Sequence, residues 1–120
     1  MRRLVIPVLA ALLTLTPFVT PSADAALWWK KVISRSRTHE GCMSAAAEGA
    51  RNSLSNVSIK ADEVTGTSLD EKVYVAVTCV PRGGDERAIA IIVAVGDDSN
   101  WVHQVMENTA EVVRTSGVPD

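Results

Sequence analysis

Two histidines are the side chains of this chain best suited to acid–base chemistry near neutral pH. His39 lies beside Glu40 and three residues before Cys42, so one face of a helix would hold an H-x-x-C pair. We expect no metal there, because no third or fourth ligand follows at a useful spacing and a cysteine in a disulfide provides no thiolate. His103 lies on the polar side of a predicted helix. A small hydrolase that uses His39 or His103 is the alternative function, although no G-x-S-x-G motif marks a nucleophile.

Two other short motifs contain residue types that bind ions. Gly83-Gly84 could cradle a phosphate, but it joins two predicted strands, whereas phosphate-binding loops lead from a strand into a helix. Asp97 and Asp98 precede a predicted helix, where helix capping explains the carboxylates better than a calcium site does. The sequence therefore predicts no catalytic residue, no cofactor and no metal, and it favours a protein that is not an enzyme.

The chain has two cysteines, Cys42 and Cys79. In an exported chain of this size, two cysteines most simply pair with each other. Neither lies in a C-x-x-C motif, so a redox function is not indicated. A disulfide between them would close a loop of about 37 residues and stabilise the fold by about 4 kcal/mol in the chain-entropy model.

The first 25 residues have the three parts of a secretory signal peptide. Arg2 and Arg3 are basic, residues 4–15 are almost wholly apolar, and Ala23-Asp24-Ala25 is an A-x-A cleavage site. We therefore expect a signal peptide at residues 1–25, cleavage after Ala25, and a periplasmic or secreted location. The apolar run is shorter than the roughly 20 residues of a membrane span, so no integral membrane segment is expected after cleavage.

The charge of the expected mature chain argues against nucleic acid as a partner. The full chain has 12 basic and 14 acidic residues, and loss of Arg2, Arg3 and Asp24 leaves 10 and 13, a net charge of −3. Binding to phosphates needs a concentrated positive surface instead. The 95 residues that follow the signal peptide suffice for one domain with one core. We expect an N-terminal Trp-containing segment at residues 26–37 and a single α+β domain at residues 38–120.

Two apolar runs, residues 73–80 and 88–95, flank a Pro- and Gly-containing loop and predict a β-hairpin. Side chains alternate between the two sides of each strand. We expect the larger residues of both strands to face the helices, namely Val73, Val75, Val77, Cys79, Ile89, Ile91, Val93 and Val95. The other side would then consist of Tyr74, Ala76, Thr78, Val80, Ala88, Ala90, Ile92 and Ala94. This second side is also apolar and needs a cover.

The remaining patterns predict two helices and one further strand. Thr38 is a suitable N-cap for a helix that runs to about Leu54. Residues 56–65 alternate between apolar and polar until Val64 breaks the alternation, which predicts one strand with a bulge near Asp62. A stripe of apolar residues predicts a last helix that Gly117 ends; it comprises Trp101, Val102, Val105, Met106, Thr109, Val112 and Val113. The predicted fold is a two-layer α+β sandwich of order α-β-β-β-α, with a three-stranded antiparallel meander and both helices on one face.

Three short segments resemble small exported bacterial domains of unknown function that have this α-β-β-β-α order. They are Cys42 in the first predicted helix, Val77-Thr78-Cys79 at the end of a strand, and residues 93–97, which lead into the last helix. The resemblance implies the same fold and the disulfide. It implies no activity.

The second side of the hairpin and the two neighbouring tryptophans form the candidate interaction face. Trp28 and Trp29 would cover apolar surface of the domain, although residues 27–33 could instead attach the protein peripherally to a membrane. Exposed apolar patches usually mark association. We therefore expect a protein-interaction or binding module of the cell envelope, with a protein partner or a homodimer. The candidate face comprises Tyr74, Ala76, Ala88, Ala90, Ile92, Trp28 and Trp29.

Overall fold

The computed structural model describes residues 25–120. The predicted signal peptide, apart from Ala25, lies outside the described residues. Seven elements follow one another along the chain: β1 (Ala26–Ile33), α1 (His39–Ser53), β2 (Ser55–Ile59), β3 (Glu63–Thr67), β4 (Val73–Val80), β5 (Ile89–Gly96) and α2 (Ser99–Thr115).

The five strands form one antiparallel sheet in the order β1-β5-β4-β3-β2. The α+β class is confirmed, but the predicted three-stranded meander is wrong. The predicted hairpin is present as β4 and β5, which pair from Val73 opposite Gly96 to Val80 opposite Ile89. The two additional strands come from segments that the sequence pattern did not resolve.

The first additional strand is β1, which arises from the N-terminal Trp-containing segment at residues 26–37. It pairs with β5 along its whole length, from Ala26 opposite Gly96 to Ile33 opposite Ile89. Both sides of β1 consist of apolar or long basic residues. One side contacts α2, and the other side contacts no helix. A strand of this kind has no alternation of apolar and polar residues that would reveal it.

The second additional strand results from a turn inside the stretch predicted as one strand, residues 56–65. β2 ends at Ile59, the amide of Lys60 donates to the carbonyl of Glu63 across 2.9 Å, and β3 then returns alongside β2. The predicted bulge near Asp62 is therefore a turn. The break in alternation at Val64, which is buried, marks the start of a new strand.

Both helices begin at caps that the sequence predicts. The Thr38 hydroxyl accepts a hydrogen bond from the amide of Gly41 at 2.9 Å, and the Asp98 carboxylate accepts one from the amide of Trp101 at 3.1 Å. Both helices pack on one side of the sheet, with α1 against β3 and β4 and α2 against β1 and β5. A Cβ at Gly49 would lie 3.0 Å from the Val113 side chain, so this glycine lets the two helices approach closely.

The predicted disulfide is confirmed. Cys42 on α1 bonds to Cys79 on β4, and their Cα atoms are 6.1 Å apart. Both residues are buried. The crosslink therefore holds α1 directly against the central part of the sheet.

The predicted orientation of β5 is wrong. Ala88, Ala90 and Ile92 are each 0% exposed and lie under the helices, in the core with Val75 and Val77. The larger residues that were expected there lie on the other side and are half-buried or exposed; they are Ile89, Ile91, Val93 and Val95. The physical reason is the short distance between the helices and the sheet. The disulfide holds α1 close to the sheet, and Gly49 lets α2 pack closely against α1, so only small side chains fit beneath the helices on most of this side of β5.

Candidate functional site

The side of the sheet that faces away from both helices is called the open face below. Its members follow from the burial alternation and the strand register. They are Leu27, Trp29, Lys31 and Ile33 on β1, Val95, Val93, Ile91 and Ile89 on β5, Tyr74, Ala76, Thr78 and Val80 on β4, and Thr67, Thr65 and Glu63 on β3.

Large apolar side chains on the open face are strongly exposed. Leu27 is 61% exposed, Trp29 60%, Ile33 56% and Tyr74 54%. They surround the half-buried centre of the face, which β5 supplies. A continuous apolar surface therefore extends across β1, β5 and β4, where the helices provide no cover.

The open face is arranged in rows that cross the strands. One row runs Trp29, Val93, Ala76 and Thr65, and the next runs Lys31, Ile91, Thr78 and Glu63. The apolar content is highest at β1 and β5 and falls toward β3, where threonines replace valine and isoleucine. The surface is thus apolar at one edge and more polar at the other.

The structure brings together three of the seven predicted face residues on the open face, namely Trp29, Tyr74 and Ala76. Ala88, Ala90 and Ile92 lie instead in the core beneath the helices. Leu27 and Ile33 belong to the segment that was expected either to cover the domain or to attach to a membrane. Ile89, Ile91, Val93 and Val95 were predicted to face the helices and lie on the open face instead. The small residues along α1, such as Ala46 and Gly49, were the available signal that the alanine side of β5 packs beneath a helix.

Trp28 lies on the helix side of β1, opposite in orientation to Trp29. Its indole Nε1 donates to the Ser99 hydroxyl at 3.1 Å, and its ring centroid lies 4.3 Å from that of His103. Trp28 therefore covers the start of α2 and secures β1 to the domain. The two neighbouring tryptophans have different surroundings, and the one on the open face is the more exposed.

Lys60 directly precedes the β2–β3 turn and lies opposite Glu63 across it. Two charged side chains, Lys31 and Glu63, project onto the open face from paired strand residues within residues 25–120. They stand at the two ends of the same row, on β1 and β3. No ion pair involves either of them among the described residues, whereas the neighbouring Lys30 on the helix side pairs with Glu107 at 2.8 Å. The open face thus presents Lys31 at one edge and Glu63, with Lys60 opposite it, toward the other edge.

The histidines do not form a catalytic arrangement with a nucleophile in the described part of the chain. His103 Nε2 lies 3.4 Å from a Glu107 carboxylate oxygen, one turn along α2, and its ring packs on Trp28. His39 begins α1 and is half-buried. Neither histidine lines any of the three surface clefts described next.

Three clefts lie at the margins of the sheet and its helices. The cleft of about 710 Å³ beside the start of α2 is mainly acidic, with Asp70, Glu71, Asp97 and Asp98 around Lys72 and Trp101. A second, of about 780 Å³, lies near the end of α2 and is basic, with Lys30, Lys31, Arg35, Arg87 and Arg114. The third, of about 170 Å³, is small and mostly apolar. Both larger clefts are shallow openings to solvent between exposed side chains.

The acidic cleft contains one carboxyl group with a perturbed pKa. The Ser68 hydroxyl donates to Asp70 and lowers its pKa below the ordinary 3.8, and the amide of Lys72 and the indole of Trp101 act in the same direction. Asp70 is thereby held as an anion that joins the β3–β4 turn to α2. The hydrogen bonds of Asp70 give this carboxylate a structural role. The Asp98 carboxylate likewise has a structural role as the N-cap of α2.

Two further observations limit the chemistry of the described region. Among residues 25–120, no three His, Cys, Asp or Glu side chains are grouped so that they could hold a metal ion. Neither α1 nor α2 combines the length and apolar composition needed to cross a lipid bilayer.

No protein-family model, no curated protein and no solved structure matches this chain. The resemblance to exported α-β-β-β-α domains stays a prediction. The open face is the feature of the described residues that bears most directly on function, because it exposes large apolar side chains.

Proposed function

We propose that this chain is an exported, non-enzymatic domain that binds another protein through its open face. The observation that carries the proposal is the exposed apolar surface across β1, β5 and β4, with Leu27, Trp29, Ile33 and Tyr74 each more than half exposed. Surfaces of this kind on small domains usually mark sites of association.

The composition of the open face is that of a protein interface. Trp and Tyr are enriched among residues that dominate binding energy, and Trp29 and Tyr74 stand on neighbouring parts of this face. Threonines on β3 and the charged pair Lys31 and Glu63 lie at its margins. Binding surfaces between proteins combine an apolar patch with polar residues at its margin, and here the polar residues lie mainly on the β3 side.

The shape of the site favours a macromolecular partner over a small molecule. Small-molecule sites are concave and enclose most of the ligand surface. The open face is one side of a sheet. Two of the three clefts described above lie on or near the other side, and the basic cleft lies at the edge strand β1, where Lys31 and Ile33 form part of its lining. A broad, flat surface is better suited to bind another protein than to enclose a small molecule.

Export is the second part of the proposal. The disulfide between Cys42 and Cys79 suits an oxidising compartment. The basic, apolar and A-x-A parts of residues 1–25 supply the expected route. We therefore place the protein in the periplasm or outside the cell, where its partner would belong to the envelope.

Site-specific photo-crosslinking in cells that express the chain tests the proposal. A photoreactive residue at Trp29 or Val93 should give covalent adducts with protein, because both positions lie on the open face. Glu48 and Arg51, on the exposed surface of α1, are the matched control positions. Adducts from the control positions, with none from the open face, would refute the proposed binding surface.

A further inference from the structure

We propose that the partner of the open face is a second copy of this chain, stacked face to face about a two-fold axis that runs parallel to the strands. This inference rests on the proposed function of the open face. It is carried by the area of the face and by the positions of its two charged residues.

The area is close to what a stable dimer needs. β1, β5 and β4 have eight residues each and are about 27 Å long, whereas β3 has five. Four neighbouring strands are about 19 Å wide, so the face covers somewhat less than about 500 Å² in projection. The accessible surface that it would lose on stacking is larger, because Trp29, Leu27 and Tyr74 project from it. Standard interfaces bury about 800 Å² per partner. Sheets commonly stack in this way, about 10 Å apart and with their strands nearly aligned.

The two charged residues cannot satisfy each other within one chain. Lys31 and Glu63 occupy the ends of the row that passes through Ile91 and Thr78. Three strand spacings separate them, which is about 14 Å between backbones. Each charge is therefore available to a partner that presents the opposite sign at the matching place.

A two-fold axis parallel to the strands, passing between β5 and β4, supplies this match. The rotation places β1 of one copy over β3 of the other while each row stays at its own level. Lys31 then faces the partner's Glu63, and by symmetry Glu63 faces the partner's Lys31. A single rotation thus forms two opposite-charge contacts at the two edges of the interface.

The same rotation places several large side chains against small ones, while Tyr74 comes over the partner's Val95 and forms a contact between two apolar side chains. Trp29 comes over the partner's Thr65, and Val93 comes over the partner's Ala76. The apolar edge of each face lies on the more polar edge of the other, so bulky residues meet shorter ones across the interface. Complementary size is what close packing between two surfaces requires.

The alternative two-fold axis, perpendicular to the strands, does not give this match. It would place β1 over β1 and bring the two copies of Lys31 close to each other, and neither Glu63 would then face the partner's Lys31. Juxtaposed like charges oppose association. The charges therefore select the axis parallel to the strands.

Charge reversal tests the arrangement directly. We expect the chain without its signal peptide to dimerise, and Lys31→Glu alone or Glu63→Lys alone to raise the dimer Kd at least about tenfold, because like charges would then face each other twice. Mixing the two variants should restore association as a heterodimer, since every contact again joins opposite charges. The double variant K31E/E63K should also dimerise. Analytical ultracentrifugation measures each Kd.

Arg51→Glu is the matched control, because it changes the charge equally on the outer surface of α1 and should leave the Kd unchanged. Circular dichroism checks that each variant is folded, and recovery on mixing the two single variants excludes misfolding as the cause of dissociation. A dimer that neither single variant weakens would refute the inference.

Other occupants of the open face give different outcomes. A chain that stays monomeric up to about 1 mM, with open-face crosslinks to a protein of another mass, would overturn the homodimer and retain the proposed function. Flotation of the mature chain with lipid vesicles would overturn the homodimer in favour of a membrane surface. Crosslinks only from α1 would overturn both proposals.

Discussion

The two sides of the central sheet are both apolar, but their side chains differ in size and in what covers them. On the helix side, β5 presents Ala88, Ala90 and Ala94, with Ile92 the only large residue, and these are completely buried. On the open face, the same strand presents only isoleucine and valine, which remain partly accessible.

This difference shows that close packing, and not side-chain size alone, decides which side of a strand is covered by helices. The disulfide at Cys42 holds α1 near β4, and Gly49 lets α2 approach α1. Little space remains beneath such helices, so alanines suit that side. The larger residues lie where no element of the described chain covers them, and a partner would bury additional apolar area there.

The largest expected effect comes from removing the crosslink on the helix side. Cys42→Ala combined with Cys79→Ala should lower the free energy of unfolding by about 4 kcal/mol, because the unfolded chain is no longer constrained across a separation of 37 residues. Urea unfolding followed by circular dichroism measures the loss. The reduced wild type should show the same loss; a double variant as stable as the oxidised wild type would contradict the role of the disulfide.

The next effect compares one substitution on the two sides of the sheet. Ala90→Val, beneath the helices, should cost about 2 kcal/mol of stability through overpacking. Ala76→Val, on the open face of β4, should be neutral or slightly stabilising, because valine favours strands and has room there. Urea unfolding at a concentration where the chain is monomeric gives both values. Equal losses at the two positions would mean that the open face is as tightly covered as the helix side.

The smallest effect concerns a polar contact at the rim of the helix side. The hydrogen bonds of Asp70, above all from Ser68, hold its pKa below the ordinary 3.8. Because the folded pKa is below the unfolded one, the carboxylate stabilises the fold above about pH 3.8 and loses that contribution as pH falls through its folded pKa. Asp70→Asn should therefore be less stable than the wild type near neutral pH, with a gap that narrows on acidification.

Urea unfolding at several pH values measures this gap. Some pH dependence should remain in the variant, since Glu107 beside Lys30 and Asp120 beside Ser36 also have lowered pKa values. A gap that stays constant from neutral to acidic pH would show that the Asp70 carboxylate does not contribute through its charge.

The elements with a single strong pattern were predictable from the sequence. Both helices begin at the predicted caps Thr38 and Asp98, the hairpin of β4 and β5 is present, and Cys42 pairs with Cys79. Each of these depends on a simple signal, namely a capping side chain, a turn between two apolar runs, or the presence of two cysteines in one short chain.

The strand β1 and the orientation of β5 could not be predicted, because both depend on contacts between residues that are distant in sequence. β1 has no alternation of its own, and its identity as a strand follows from pairing with β5, with Trp28 on one side and Trp29 on the other. Three of the seven residues of the predicted face lie on the open face, and Ala88, Ala90 and Ile92 were assigned to the wrong side because both sides of β5 are apolar. Only the space left beneath the helices decides between Ala90 and Ile91.

The pairing of β1 with β5 has a consequence for folding. Ala26 lies opposite Gly96, so the first strand to be synthesised meets its neighbour only after nearly the whole domain has been made. Contacts of such long range slow folding. Both cysteines precede β5 in the chain. The disulfide can therefore join α1 to β4 before β1 has formed its hydrogen bonds to β5, while Leu27 and Trp29 are still exposed. During this interval, the chain is most exposed to aggregation and most dependent on chaperones.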